Sequence, residues 1–180
     1  MLLVVLAVTV TAAILARNWY GEPDGASAGT GIDAGESSVP GGEPGPSAVR
    51  LTSDARAHPL GENVRRLLSD YFAAINKRDY ERWTRTVTTD RVQSLTEQQW
   101  LDNYETTKDG SIRVYRIESA PGNTLRVLLG FTSTQDRSQA PADLPVGCIR
   151  WRLSLPVAKE AGQWKIDELE PGTKQEKQRC

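Results

Sequence analysis

The chain has 180 residues, with 22 Lys and Arg against 23 Asp and Glu and a formal net charge of −1. That length allows one domain plus extra segments. A balance this even excludes the one-sided basic excess of a nucleic-acid footprint, and one His with two Cys is too thin a set for a Cys/His metal site.

In chain order, Leu2 to Ala16 carry no charge, and Trp19 and Tyr20 follow, residue types that favour a membrane–water boundary. Counted through Tyr20, the stretch approaches the roughly 20 residues of a spanning helix, and Arg17 can snorkel. A transmembrane anchor over residues 1–20 is the expectation. The rival, a cleaved secretory signal, lacks a charged start, and its only A-x-A-like site, Ala26-Ser27-Ala28, lies well past the apolar run. Residues 21–57 read as a flexible acidic linker. The stretch 21–50 holds eight Gly and four Pro, and Gly21 to Val49 carry five acids with no Lys or Arg. Such a composition cannot bury enough surface to offset the entropy of ordering.

The folded domain is expected over 58–180. From Leu51 onward there are 20 basic and 18 acidic residues. Val64, Leu67, Leu68, Tyr71, Phe72 and Ile75 form one apolar stripe at helical spacing, ended by Asn76, Lys77 and Arg78. Asp79 is placed to cap a second, short helix carrying Tyr80, Trp83 and Val87 on one face. Thr96-Glu97-Gln98-Gln99 is a capping box for a third, with Leu95 and Trp100 as its staple and Tyr104 continuing the face. Asp109-Gly110 reads as the closing turn.

The period then changes to two. Ser111 to Ser119 predict a strand ending at Pro121-Gly122-Asn123. Leu125, Val127, Leu129 and Phe131 predict a second, and Ile149, Trp151, Leu153, Leu155 and Val157 a third. After a hairpin turn at Glu160-Ala161-Gly162, Trp164, Ile166 and Leu169 predict a fourth. The expected class is α+β: three helices covering the apolar face of a mainly antiparallel four-stranded sheet, whose other face is polar and rich in Arg.

A helix ending in YFAAINKRDYERW, two short helices, and strands finishing in GQWKID resemble the nuclear transport factor 2-like (SnoaL-like) superfamily over residues 60–171. The resemblance implies a curved sheet wrapped by helices around a conical pocket. It also implies a range of uses, from isomerases and dehydratases to binding domains and assembly proteins of the bacterial envelope. Many members dimerise through the outer sheet face.

Cys148 and Cys180 read as one disulfide if the domain is extracytoplasmic, the alternative being a buried Cys148 beside a frayed tail. Strand parity puts Cys148 on the polar face, so a bridge would draw the tail across that face. The Arg side chains and the tail would then oppose an apolar sheet-to-sheet dimer.

The search for chemistry finds no phosphate loop, nucleophile elbow or metal motif. No catalytic residue, cofactor or metal is expected. His58, before Pro59, reads as a cap residue. Asp70 lies about 100° off the helix stripe. Asp167, Glu168 and Glu170 read as a wet strand end, and the apolar strand face carries no carboxylate. Tyr71, Trp83, Trp100, Tyr104, Tyr115, Phe131 and Trp151, with Trp164, are read first as core and second as the lining of a pocket for a small apolar ligand. Arg65, Arg66, Lys77, Arg78, Arg82 and Arg85 read as solvated helix surface, with docking to an acidic partner or anionic headgroups as the alternative. The leading expectation is a membrane-anchored extracytoplasmic binding or assembly module of the bacterial envelope, with an envelope protein as partner. The alternatives are an apolar-ligand domain, an isomerase- or dehydratase-like enzyme using the cone, and a secreted rather than anchored protein.

Overall fold

In the computed structural model the described residues are 42–169, 172–173 and 175–180. The expected anchor and most of the expected linker lie outside them. The class is α+β, with five α-helices and six strands among the described residues where three and four were expected.

The stripe forms α2, Gly61–Lys77, and buries Val64, Leu67, Leu68, Tyr71, Phe72, Ala74 and Ile75. It stops because Arg78 turns left-handed (φ 55°, ψ 43°), and its N–H caps the carbonyls of Ala74 and Ile75. Helix α3, Tyr80–Thr84, starts as expected, with the Arg82 N–H donating to Asp79 Oδ1 at 2.9 Å. Helix α5, Glu97–Asn103, carries the full Thr96/Gln99 capping box. The two unexpected helices are α1, Ser53–Ala57, and α4, Thr89–Gln93. Five residues give barely more than one turn, too few to display an apolar period.

The strands are β1 (Arg50–Leu51), β2 (Lys108–Ala120), β3 (Thr124–Thr134), β4 (Cys148–Glu160), β5 (Gln163–Ile166) and β6 (Glu176–Arg179). They form one sheet in the order β1-β2-β3-β4-β5, with β6 also on β4. Only β1–β2 is parallel. Two register shifts in β2, between Gly110 and Arg113 and between Val114 and Arg116, are irregularities of the kind that bend a strand and raise its twist.

Four expectations are corrected. The folded part starts before residue 58: β1 and α1 lie in the stretch read as linker, with Val49 and Ala55 buried. Asp109-Gly110 is not a closing turn but part of β2, and both residues are buried. A Cβ on Gly110 would stand 2.2 Å from the Gly45 carbonyl oxygen, so glycine is there for a close backbone approach. The strand after the hairpin, β5, ends at Ile166, short of Leu169. The tail does not cross the outer face. It adds β6 edge-on to β4, pairing Ile149 with Arg179 through Arg152 with Glu176. Strand β5 covers β4 only over Val157 to Glu160, so the first half of β4 would otherwise present unpaired backbone groups.

The core lies between the helices and the inner sheet face: Ile112, Val114, Ile117, Leu125, Val127, Leu129, Leu155, Val157 and Ile166 against Val64, Leu68, Phe72 and Ile75. None of the helices among the described residues is long and apolar enough to cross a membrane.

Candidate functional site

Two places carry enough polar or aromatic character to do something: the aromatic interior and a groove at the β1 edge.

The interior has two aromatic groups. Tyr80, Trp83, Trp100 and Tyr104, from α3, α5 and its C-terminus, stack with ring centroids 5.2–5.6 Å apart. Phe72 meets Phe131 at 5.0 Å, and Phe131 stacks on Trp151 at 6.3 Å. Trp83 and Trp100 are 1% and 0% exposed, and Tyr71 is 7% exposed. Tyr104, Phe131 and Trp151 are half-buried. The fold brings Tyr71, Trp83, Trp100, Tyr104 and Phe131 into or against the core, with Trp151 beside Phe131 at its margin. Tyr115 goes elsewhere. The second shift in β2 turns it outward, where its ring lies 3.0 Å from the position of a Cβ on Gly130 and under the Arg152 guanidinium, 5.4 Å from the ring centroid. Trp164, half-buried, lies beneath Lys159 Nζ at 5.8 Å.

The inner face does hold a carboxylate. Asp109 is 4% exposed and accepts a hydrogen bond from the Ser133 hydroxyl on the facing strand. Its backbone N–H donates to Asn76 Oδ1 at 2.7 Å, and its carbonyl accepts from Asn76 Nδ2 at 2.9 Å, pinning the end of α2 to the start of β2. Burial raises the Asp109 carboxyl to about 6, against the lowering pull of Ser133. Arg91 on α4 donates to the Tyr71 hydroxyl and the Asp167 carbonyl, both at 3.1 Å. The Tyr104 hydroxyl is pushed well above its ordinary value by neighbouring Tyr71 and by burial. Asp109, Ser133 and Arg91 were missed in the sequence because Asp-Gly is the commonest turn signal and α4 has no period.

Other expected roles fall out plainly. His58 Nδ1 accepts from the Leu60 N–H at 3.1 Å in the approach to α2. Asp70 pairs with Arg82 at the surface. Asp167 accepts from the Thr88 hydroxyl at 2.8 Å. Among the described residues no three His, Cys, Asp or Glu side chains come close enough to hold a metal.

Cys148 and Cys180 are joined by a disulfide, with Cα atoms 5.5 Å apart. Bonds of this kind persist in oxidising, extracytoplasmic settings. Beside the bridge, Lys177 Nζ sits over the Trp151 ring at 5.6 Å and pairs with Asp143 at 2.6 Å.

The groove, about 640 Å³, is lined by Val49, Arg50, Leu51, Thr52, Arg56, Glu62, Arg65 and Arg113. Arg50 and Arg113 are register partners on parallel strands. Glu62 and Arg65 are paired with each other, at 2.6 and 2.9 Å. Arg56 Nη2 donates to the Leu51 carbonyl at 3.4 Å. Among the described residues, Arg50, Arg56 and Arg113 have no carboxylate within 4.0 Å. No protein-family model matches the chain, and no curated protein matches it either.

Proposed function

We propose that this chain is a membrane-anchored, extracytoplasmic binding or assembly module of the bacterial envelope, built on a nuclear transport factor 2-like cone and working through its surface rather than by catalysis. The observation that carries the reading is the packing of the two central indoles, Trp83 and Trp100, against each other. In a cone that works on a ligand, the aromatic lining must face open space. Here Trp83 and Trp100 face each other and Tyr80, with at most 1% of either Trp exposed. Their surface contributes to stability, which favours recognition at the outside of the domain. The Cys148–Cys180 bridge supports an oxidising compartment, and the apolar, aromatic-ended run at residues 2–20 supports the anchor.

In-cell crosslinking of the full chain followed by mass spectrometry tests this. A stoichiometric envelope protein is the expected result. Recovery of the chain alone, under conditions that crosslink known envelope complexes, overturns it.

One observation favours a second reading, a cone that does acid–base chemistry in the manner of SnoaL-like isomerases. Asp109 has a carboxyl raised to about 6 and lies at one end of the interior near Tyr104, and a carboxyl tuned toward neutrality is what a general base requires. With 4% exposure it has little access to a substrate in this conformation. Saturable binding of an apolar enol or steroid-like probe, abolished by Asp109→Asn without loss of fold, would move the reading from surface to interior.

A further inference from the structure

Four arginines line one groove at the β1 edge. Some surface arginines have an acid of their own: Arg116 has Asp54 at 3.4 Å and Glu118 at 3.7 Å, Arg85 has Glu81 at 2.7 Å, and Arg82 has Asp70. At the β1 edge three of the four have none within 4.0 Å among the described residues. Arg50 and Arg113 sit side by side in register, where like charges directly opposite oppose strand pairing. Arg56 comes in from α1, and Arg65 from α2 is neutralised by Glu62. The lining therefore carries three positive charges with no carboxylate partner among the described residues, at one concave place, on a domain whose charge is otherwise close to balanced.

The elements that carry the lining are held together by backbone contacts. Thr52 is fixed twice, its N–H donating to the Val114 carbonyl at 3.0 Å and its hydroxyl to the Tyr115 carbonyl at 2.7 Å. Gly61 lets the start of α2 close on α1, since a Cβ there would stand 2.5 Å from the Ala55 carbonyl oxygen. The arginines thus project from a fixed strand edge and two helices locked to it.

We infer that this groove binds a phosphate-bearing anion, held jointly by the guanidinium groups of Arg50, Arg56 and Arg113. A guanidinium is a planar fork that matches two oxygens at once. One carboxylate offers two oxygens and occupies one fork. A phosphoryl group offers three and up to two charges, so it can take forks from more than one arginine and offset the Arg50–Arg113 repulsion. The site extends the surface-binding reading to a chemical class of ligand, but it stands on the groove alone and survives if no protein partner is found.

The test is calorimetric titration of the full chain in neutral detergent with inorganic pyrophosphate, with malonate as the dicarboxylate control. The expected result is a saturable single site for pyrophosphate, at least tenfold weaker for malonate, and weaker at high salt. Arg50→Ala/Arg113→Ala should weaken it at least tenfold. Arg113→Lys, which keeps the charge and loses the fork, should fall between. Arg126→Ala, on an exposed β3 position outside the groove, should leave it unchanged. Competition with short-chain phosphatidylglycerol below its micellar concentration separates the sources: displacement of pyrophosphate assigns a lipid headgroup, and no displacement assigns a soluble phosphate. Absence of pyrophosphate binding, equal binding of malonate, or full binding by a folded Arg50→Ala/Arg113→Ala chain would overturn the inference.

Discussion

The two sides of the β1–β2–β3 sheet make opposite use of the same strands. On the inner face Val114, Val127 and Leu129 are 0% exposed and give the domain its stability. On the outer face the alternate positions are Arg113, Arg126, Leu128 and Gly130, with Tyr115 laid across the glycine. Side-chain period two assigns each residue to one task, so the task can be removed on one face without touching the other. Wherever stability and binding are separable this sharply, mutation should sort residues into two classes with little overlap.

The largest effect should come from the inner aromatic group. Trp100→Ala removes a fully buried indole touching Tyr80, Trp83 and Tyr104, and should cost about 3–5 kcal/mol in urea unfolding. Arg113→Ala, measured beside it, should change stability by less than about 0.5 kcal/mol. Comparable losses at the two positions would break the division. The disulfide comes next. It closes a separation of 32 residues, and in the chain-entropy picture Cys148→Ser/Cys180→Ser should lose about 3–4 kcal/mol. Because β6 pairs only with β4, the same variant should also lose amide protection at Glu176 to Arg179 ahead of global unfolding.

The buried acid gives a pH-dependent comparison. Its folded value of about 6 lies above the ordinary 3.8 because burial disfavours the charge. The folded state therefore holds its proton more tightly than the unfolded one. This group's contribution to stability falls as pH rises from about 4 to about 6, and the loss persists above that. The shift corresponds to about 3 kcal/mol. Asp109→Asn should be more stable than the parent at pH 7 by up to that amount and should converge with it near pH 4. A parent-minus-variant difference that is flat between pH 4 and 7 would place Asp109 in contact with water.

What was legible in the sequence follows element length. Helix α2 has four apolar turns, so its period is visible, and the alternation of β3 and β4 likewise announces their faces. The capping box at Thr96 works because it depends on four adjacent residues. Helices α1 and α4 and strand β1 are too short to carry a period, and they exist because Thr52 and Thr88 bond to β2 and to β5 with its following turn. The groove was invisible for the same reason. Two of its three unpaired arginines, Arg50 and Arg56, come from β1 and α1, in a stretch whose composition reads as linker, and only Arg113 lies on a strand the alternation announces. Tyr115 went to the wrong face because a register shift resets parity and leaves no local signal. The disulfide pairing could be read from an even pair of cysteines, but not the edge-on path of the tail, which is set by the part of β4 that β5 leaves open.

The smallest expected effect lies at the β4–β5 hairpin, and it tests whether local backbone choice is optimised away from both faces. Glu160 pairs with Gln163, leaving a two-residue loop with both central residues at positive φ, Ala161 at 48° and Gly162 at 82°. That is the type I′ geometry that matches strand twist and favours Asn-Gly. An alanine there crowds its Cβ against the following carbonyl, costing about 1 kcal/mol. Ala161 is exposed and contributes nothing to the core or to the groove. Ala161→Asn should therefore raise stability by about 0.5–1 kcal/mol, read as a higher urea midpoint at constant slope. It should leave pyrophosphate binding at the distant β1 edge unchanged. A loss of stability would break the reading of this turn as one that favours Asn at its first central position.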